Sequence, residues 1–154
     1  MGTTTMGKVI VPAKIENLDD LYQLEHGLLS EDQVRRVEVP DALVDTGAST
    51  LMLPRRLVPQ LGLKPLHKRA ARTAGGPASL QVYRAVRLTV QGRDCICDVV
   101  EIPDDLPVLI GQIPLEAMDW VVDSNCQRLI GNPEHGGEQM IDVFLASRRD
   151  GFGE

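Results

Sequence analysis

Asp45, Thr46 and Gly47 are the residues of this chain best placed to do chemistry. Leu43-Val44 runs into them, and Leu51-Met52-Leu53 follows after Ala48, Ser49 and Thr50. That pattern describes a strand that enters a core, turns sharply at a glycine and leaves as a second strand. The turn then holds a carboxylate and a hydroxyl between apolar flanks. A carboxylate in such a setting is costly unless hydrogen bonds or a partner satisfy it. Burial also disfavours the charged form, which is how a carboxyl group becomes an acid or base near working pH.

The elements that must position this turn read mainly as strands. Val9, Val11, Ala13 and Ile15 alternate with other positions, and Pro12 predicts an edge or a bulge. Asn17 suits the cap of a helix from Leu18, with Asp19 and Asp20 in its first turn and Gly27 as its stop. Ser30 and Gln33 make a capping-box pattern, and residues 17–33 together read as a polar, solvated excursion. Val37 and Val39 lead toward the turn. Beyond it, Pro54 and Gly62 bracket a helical stretch that Pro59 limits to one or two broken turns.

Residues 64–90 predict a long hairpin whose tip is Ala74-Gly75-Gly76-Pro77, where glycine permits positive φ and proline fixes the exit. Its returning arm puts Val82, Val86, Leu88 and Val90 on one face. Gln91-Gly92-Arg93-Asp94 is the next turn, followed by a strand over 95–102. Leu106 to Gly111 predicts an apolar strand, Pro114 to Met118 a short helix, and Trp120–Val122 with Arg128–Ile130 a closing hairpin. Ile141, Val143 and Leu145 alternate as a last strand, free to pair with a partner chain.

Composition bounds the rest. At 154 residues, 43% hydrophobic and 3% aromatic, the chain reads as one domain with an aliphatic core. Residues 1–6 read as a loose leader, 7–146 as the domain and 147–154 as a frayed tail. A formal charge of −6, with basic residues dispersed, argues against a nucleic-acid or anionic-membrane partner. No apolar run reaches the length of a membrane span, and the N-terminus lacks a signal-peptide pattern. Cys95, Cys97 and Cys126 form no disulfide framework and suggest reduced thiols in the cytoplasm. Cys95 and Cys97 share a strand face, yet neither they nor His26, His67 and His135 have metal-ligand spacing, so no metal site is expected. His135, in a Gly-rich turn, reads as a surface residue.

Taken in order, these landmarks resemble one family. Leu43-Val44-Asp45-Thr46-Gly47-Ala48-Ser49 is similar to the catalytic turn of the aspartic peptidases, and more narrowly of the single-lobed retropepsin-like group. Residues 73–79 resemble that group's flap tip. Val108-Leu109-Ile110-Gly111 resembles the stretch that closes the fold around the turn, and Ile113 to Trp120 its short C-terminal helix. The likeness covers roughly residues 7–133 and is that of a stand-alone, prokaryotic-type member. It implies a mostly β, closed or half-barrel acid-protease fold with one short C-terminal helix, here with an N-terminal helical excursion.

The resemblance also implies an endopeptidase in which two carboxylates share one proton, one accepting from water while the other donates to the scissile carbonyl. The chain has a single Asp-Thr-Gly, since Asp123-Ser124-Asn125 lacks the glycine. A symmetric homodimer is therefore implied, with Asp45 of each subunit meeting across the two-fold axis. Thr46 would reach the partner's backbone, and Gly47 would let the backbone approach the carboxylates. Ala48 and Ser49 would border the substrate groove, Ala74, Gly75 and Gly76 would close over an extended peptide or protein segment, and Ile110 would contact it. No metal or organic cofactor is implied. Gln112 departs from the viral pattern, which commonly has Arg there, and the excursion 17–33 has no counterpart. A reading from another class keeps the fold but makes Asp45 a structural acceptor in a catalytically silent dimeric binding or assembly module; the intact Asp-Thr-Gly favours the peptidase.

Overall fold

Alternation builds the first strand as expected: Val9, Val11, Ala13 and Ile15 are buried while Ile10 and Pro12 face solvent. The computed structural model describes residues 8–144 of the chain. The leader, the tail and the Leu145 end of the proposed last strand lie outside the described residues. Within them run β1 (Val9–Asn17), α1 (Leu18–Glu25), β2 (Arg36–Val44), β3 (Leu51–Pro54), α2 (Leu57–Leu61), β4 (Pro65–Thr73) and β5 (Gly76–Val90). There follow β6 (Arg93–Ile102), β7 (Leu109–Ile110), α3 (Gln112–Met118), β8 (Trp120–Asp123) and β9 (Arg128–Gly131). The fold is mostly β, in agreement with the sequence reading.

One sheet carries the order β1-β2-β7-β3-β6-β5-β4, and β1 also pairs with β5, so six strands close into a ring and β4 is left outside it. Pro12 cannot donate to a ladder, and the β1–β2 register shifts between Val11 and Ala13, which places the bulge there. Inside the ring the core is aliphatic: Ile15, Leu51, Leu53, Leu61, Leu88, Ile110, Leu115 and Met118 are all nearly inaccessible. The long strand β5 serves two structures. Its second half pairs with β6 and β1 in the ring, and its first half pairs with β4 to form an arm beyond it.

The excursion is largely exposed over residues 21–33, as a solvated connection is, but it is tied down at its root. Asn17 accepts the Asp20 N–H at 2.9 Å and donates to Leu61 O at 2.8 Å, so the cap of α1 also grips α2. Buried Asp20 takes three hydrogen bonds from Arg35, two from the guanidinium and one from the backbone. That pairing holds its carboxyl below the usual range. Burial raises the Glu16 carboxyl, but the guanidiniums of Arg87 and Arg36 outweigh it and leave it lowered. Breaking either buried pair by removing one partner strands a charge, the costly way to lose an ion pair.

Three expectations are corrected. Pro54 closes β3 instead of opening a helix, and α2 begins at Leu57. The strand expected over Leu106–Gly111 shrinks to Leu109–Ile110, because Pro107 has no ladder donor and only these two residues are wedged between neighbours. Ile141 and Val143 form no strand and are 88% and 65% exposed.

Candidate active site

The turn is held by the strand wedged between its two flanks. β7 pairs parallel with β2 (Leu43↔Leu109, Val44↔Ile110) and antiparallel with β3 (Leu51↔Ile110, Met52↔Leu109). The entry to the turn is fixed by the Asp45 N–H donating to Ile110 O at 2.9 Å. Its exit is fixed by the start of α3. Gly111 N–H donates to Thr50 O at 3.0 Å, Gln112 N–H to Ala48 O at 2.9 Å and Ile113 N–H to Ser49 O at 2.9 Å. The first N–H groups of a helix have no intrahelical acceptor. Here they are satisfied by the carbonyls of the loop that carries the carboxylate.

Asp45 is half-buried, and Thr46 and Gly47 are exposed. Asp45 Oδ1 accepts the Gly47 N–H at 2.9 Å, a two-residue closure that orients the carboxylate. A β-carbon on Gly47 would come within 3.2 Å of that oxygen, so the glycine keeps the approach open. The Thr46 hydroxyl has no hydrogen-bond partner among the described residues. Thr50 instead donates its hydroxyl to Asp98 O at 3.1 Å, tying the loop to β6.

Beside the turn lies a groove of about 270 Å³ between Gly47-Ala48-Ser49 and the arm, floored by Met52, Leu80, Val82 and Val100. A second cavity of similar size adjoins it through Ser49, next to Cys97, Asp98 and Ile113. Of the residues expected to bind substrate, Ala48 and Ser49 lie on this groove. Ala74, Gly75 and Gly76 form the arm's tip and are not among the residues that line this groove. There Ala74-Gly75 is a two-residue turn between the paired Thr73 and Gly76, narrower than the four-residue tip expected, and Gly76 takes φ +109°. Ile110 is 0% exposed in the core and lines neither cavity, so it supports the turn from beneath.

The root of the arm is bracketed. Tyr83 donates its hydroxyl to Glu101 at 2.6 Å, and Arg55 holds the other oxygen of the same carboxylate at 2.8 Å. Burial, then Glu101, pushes the Tyr83 phenol up to about 12, so it remains a donor throughout the ordinary pH range.

A different part of the chain departs from expectation. The His135 side chain is 9% exposed, not a surface group, and sits between Asp119 Oδ2 at 2.7 Å and Asp142 Oδ2 at 2.9 Å. Among the described residues no set of three or more His, Cys, Asp and Glu side chains could hold a metal ion. Cys95 and Cys97 do share a face; the Cys97 thiol is pushed up by the neighbouring Cys95 and by burial, the state of an inert thiol.

The turn thus presents one oriented carboxylate beside a groove that the hairpin arm helps to line. A family model described as aspartyl protease matches residues 33–113, from before β2 to the first turn of α3. That is over half of the chain, which belongs to this family, in its retropepsin-like form, and has an aspartic peptidase kind of function. A search of curated proteins finds no match. No described helix is long and apolar enough to cross a membrane.

Proposed function

We propose that two copies of this chain make one endopeptidase, each supplying Asp45 to a shared dyad that activates water and protonates the scissile carbonyl. The observation that carries this reading is the state of the turn in one chain. Its carboxylate is oriented by Gly47 but half open to solvent, and the hydroxyl of the adjacent Thr46 is unpartnered among the described residues. One carboxylate cannot at once take a proton from water and give one to a carbonyl. A second copy about a two-fold axis supplies the missing acid, and two carboxylates in contact then share a proton because both cannot easily ionise. Such a pair titrates as a unit.

In this reading Thr46 bonds across the interface and Ala48 and Ser49 border the peptide. The Ala74–Gly76 tip descends as a flap over a substrate that adds as an extended strand. Residues 7–146 serve as the unit of each protomer. The free thiols of Cys95, Cys97 and Cys126 fit a reducing, cytoplasmic setting.

Digestion of a mixed peptide library between about pH 4 and 7, wild type beside Asp45→Asn, is the test, since a general acid or base contributes about 10²–10⁴-fold. The variant is expected to lose at least that much turnover while sedimenting as the same dimer. Equal cleavage by both proteins overturns the reading, and silence from a confirmed wild-type dimer moves the assignment to the assembly module.

A further inference from the structure

From Thr46 to Arg93 the sequence holds nine of its 16 Lys and Arg residues and none of its 22 Asp and Glu residues. Contrary to the expectation of dispersed basic residues, they are concentrated in the stretch that builds the arm. Folding neutralises part of this charge. Arg55 pairs with Glu101 at 2.8 Å, Arg56 with Asp104 at 3.6 Å and Arg87 with Glu16 at 2.8 Å. Arg93 caps the carbonyls of Met118, Asp119 and Gly137 and stacks on Trp120. On β4, by contrast, Lys68, Arg69 and Arg72 have no carboxylate partner among the described residues. The guanidinium of Arg69 meets only His67 Nε2, at 3.3 Å.

Register decides where Arg69 stands. Directly paired residues of an antiparallel ladder share a face. Arg69 pairs with Leu80, His67 with Val82, and Val82 with Val100, so Arg69 belongs to the apolar face that floors the groove. It lines the cavity beside Ala48 and Ser49 together with Arg72, and it also lines the adjoining one. Among the described residues Asp98 is the one carboxylate lining the adjoining cavity, and the first is lined by none.

We propose that this groove selects peptides carrying a carboxylate side chain, seated against Arg69 beside an apolar residue on the Met52–Leu80–Val82 floor. This rests on the reading of the site as a peptide-cleaving cleft. A guanidinium at an apolar wall with no carboxylate partner among the described residues presents its fork of donors to a carboxylate, the geometry for which arginine is suited and lysine is not. The net charge of −6 opposes acidic peptides only weakly. Distant charges are screened beyond about 8 Å at physiological salt, so the near guanidiniums dominate. In a two-fold dimer the groove occurs twice, and the preference recurs on both sides of the scissile bond.

Two experiments on one random peptide library separate this from the catalytic reading. Library passed over immobilised Asp45→Asn protein reads recognition without turnover, and digestion by the wild type reads cleavage. Asp and Glu are expected to be enriched about fivefold over Asn and Gln at a fixed distance from an apolar residue, in line with a modest ion pair. Raising the salt should erode the enrichment. Arg69→Glu in either background should turn the preference toward Lys and Arg, and Arg69→Gln should abolish it. No acid enrichment among retained peptides, no retention at all, or the same enrichment in both Arg69 variants overturns the proposal. Acid enrichment among retained peptides with no cleavage by the wild type leaves the preference standing and overturns the peptidase reading instead.

Discussion

A β-carbon at Gly111 would stand 2.5 Å from Thr50 O and 2.6 Å from Ala48 O, backbone atoms of the loop that carries Asp45. The residue has no chemistry of its own, yet it sets how closely α3 approaches the turn. Alanine there must push away the carbonyls that accept from Gly111 and Gln112. Overpacking of this kind costs about 1–3 kcal/mol. Gly111→Ala is therefore expected to lower the melting temperature by roughly 3–10 °C, judged by the usual scaling for a domain of this size. Activity should fall further than stability, because the displaced loop also aims the carboxylate. Thermal denaturation and peptide cleavage on one sample check both, and a variant of wild-type activity would show that the close approach is dispensable.

At the scale of elements, His135 clasps the segment after β9 to the end of α3. Asp119, in the left-handed conformation at φ +60°, caps α3 and accepts from both His135 and the Met140 N–H. Asp142 holds the other ring nitrogen. Hydrogen bonds to Asp142 and Asp119 raise the His135 pKa, while Met140 N–H and His135 lower that of Asp119. A raised histidine stabilises fully below its unfolded value, about 6.5, and loses the contribution as pH rises through the folded value. A lowered aspartate stabilises above about 3.9 and loses the contribution as pH falls through its folded value. The clasp is thus expected to be tightest between about pH 4 and 6.5, a mildly acidic window. Amide hydrogen exchange across residues 138–144, corrected for intrinsic rates, should be slowest there and faster at pH 8. His135→Ala should remove the alkaline limb, and a profile identical to the wild type would dismiss the clasp.

For the whole molecule, the proposal that a second copy completes the site predicts mass-action behaviour. Specific activity should fall on dilution at the concentration where sedimentation shows the dimer dissociating. Mixed with an equal amount of Asp45→Asn chain and allowed to exchange, the wild type should keep about half of its activity, since random pairing puts half of its chains into dead heterodimers. Activity that stays constant on dilution while the monomer predominates would place the whole reaction in one chain. The charge division acts at the same scale, giving an otherwise acidic molecule a basic arm beside the groove.

What the sequence determined by itself was what local signals govern. Alternation marked β1 and the returning face of β5, Asn17 marked the cap of α1, and Gly62 marked the left-handed end of α2. The Asp45-Thr46-Gly47 turn was legible because an apolar run, a carboxylate and a glycine sit next to one another. The tertiary structure decided what depends on pairing between distant segments. It wedged the two residues of β7 between β2 and β3 and used the first donors of α3 to fix the loop. It placed Arg69 over the groove through the β4–β5 register, which shifts between Pro65 and His67. A one-residue slip moves every side chain of a strand to the opposite face, so no reading of the arm alone could assign that side. His135 was misjudged for the same reason: the carboxylates that enclose it lie 16 and 7 residues away, and a Gly-rich turn carries no local mark of being covered. Periodicity and backbone preference are written residue by residue, whereas burial and register belong to the surfaces that meet.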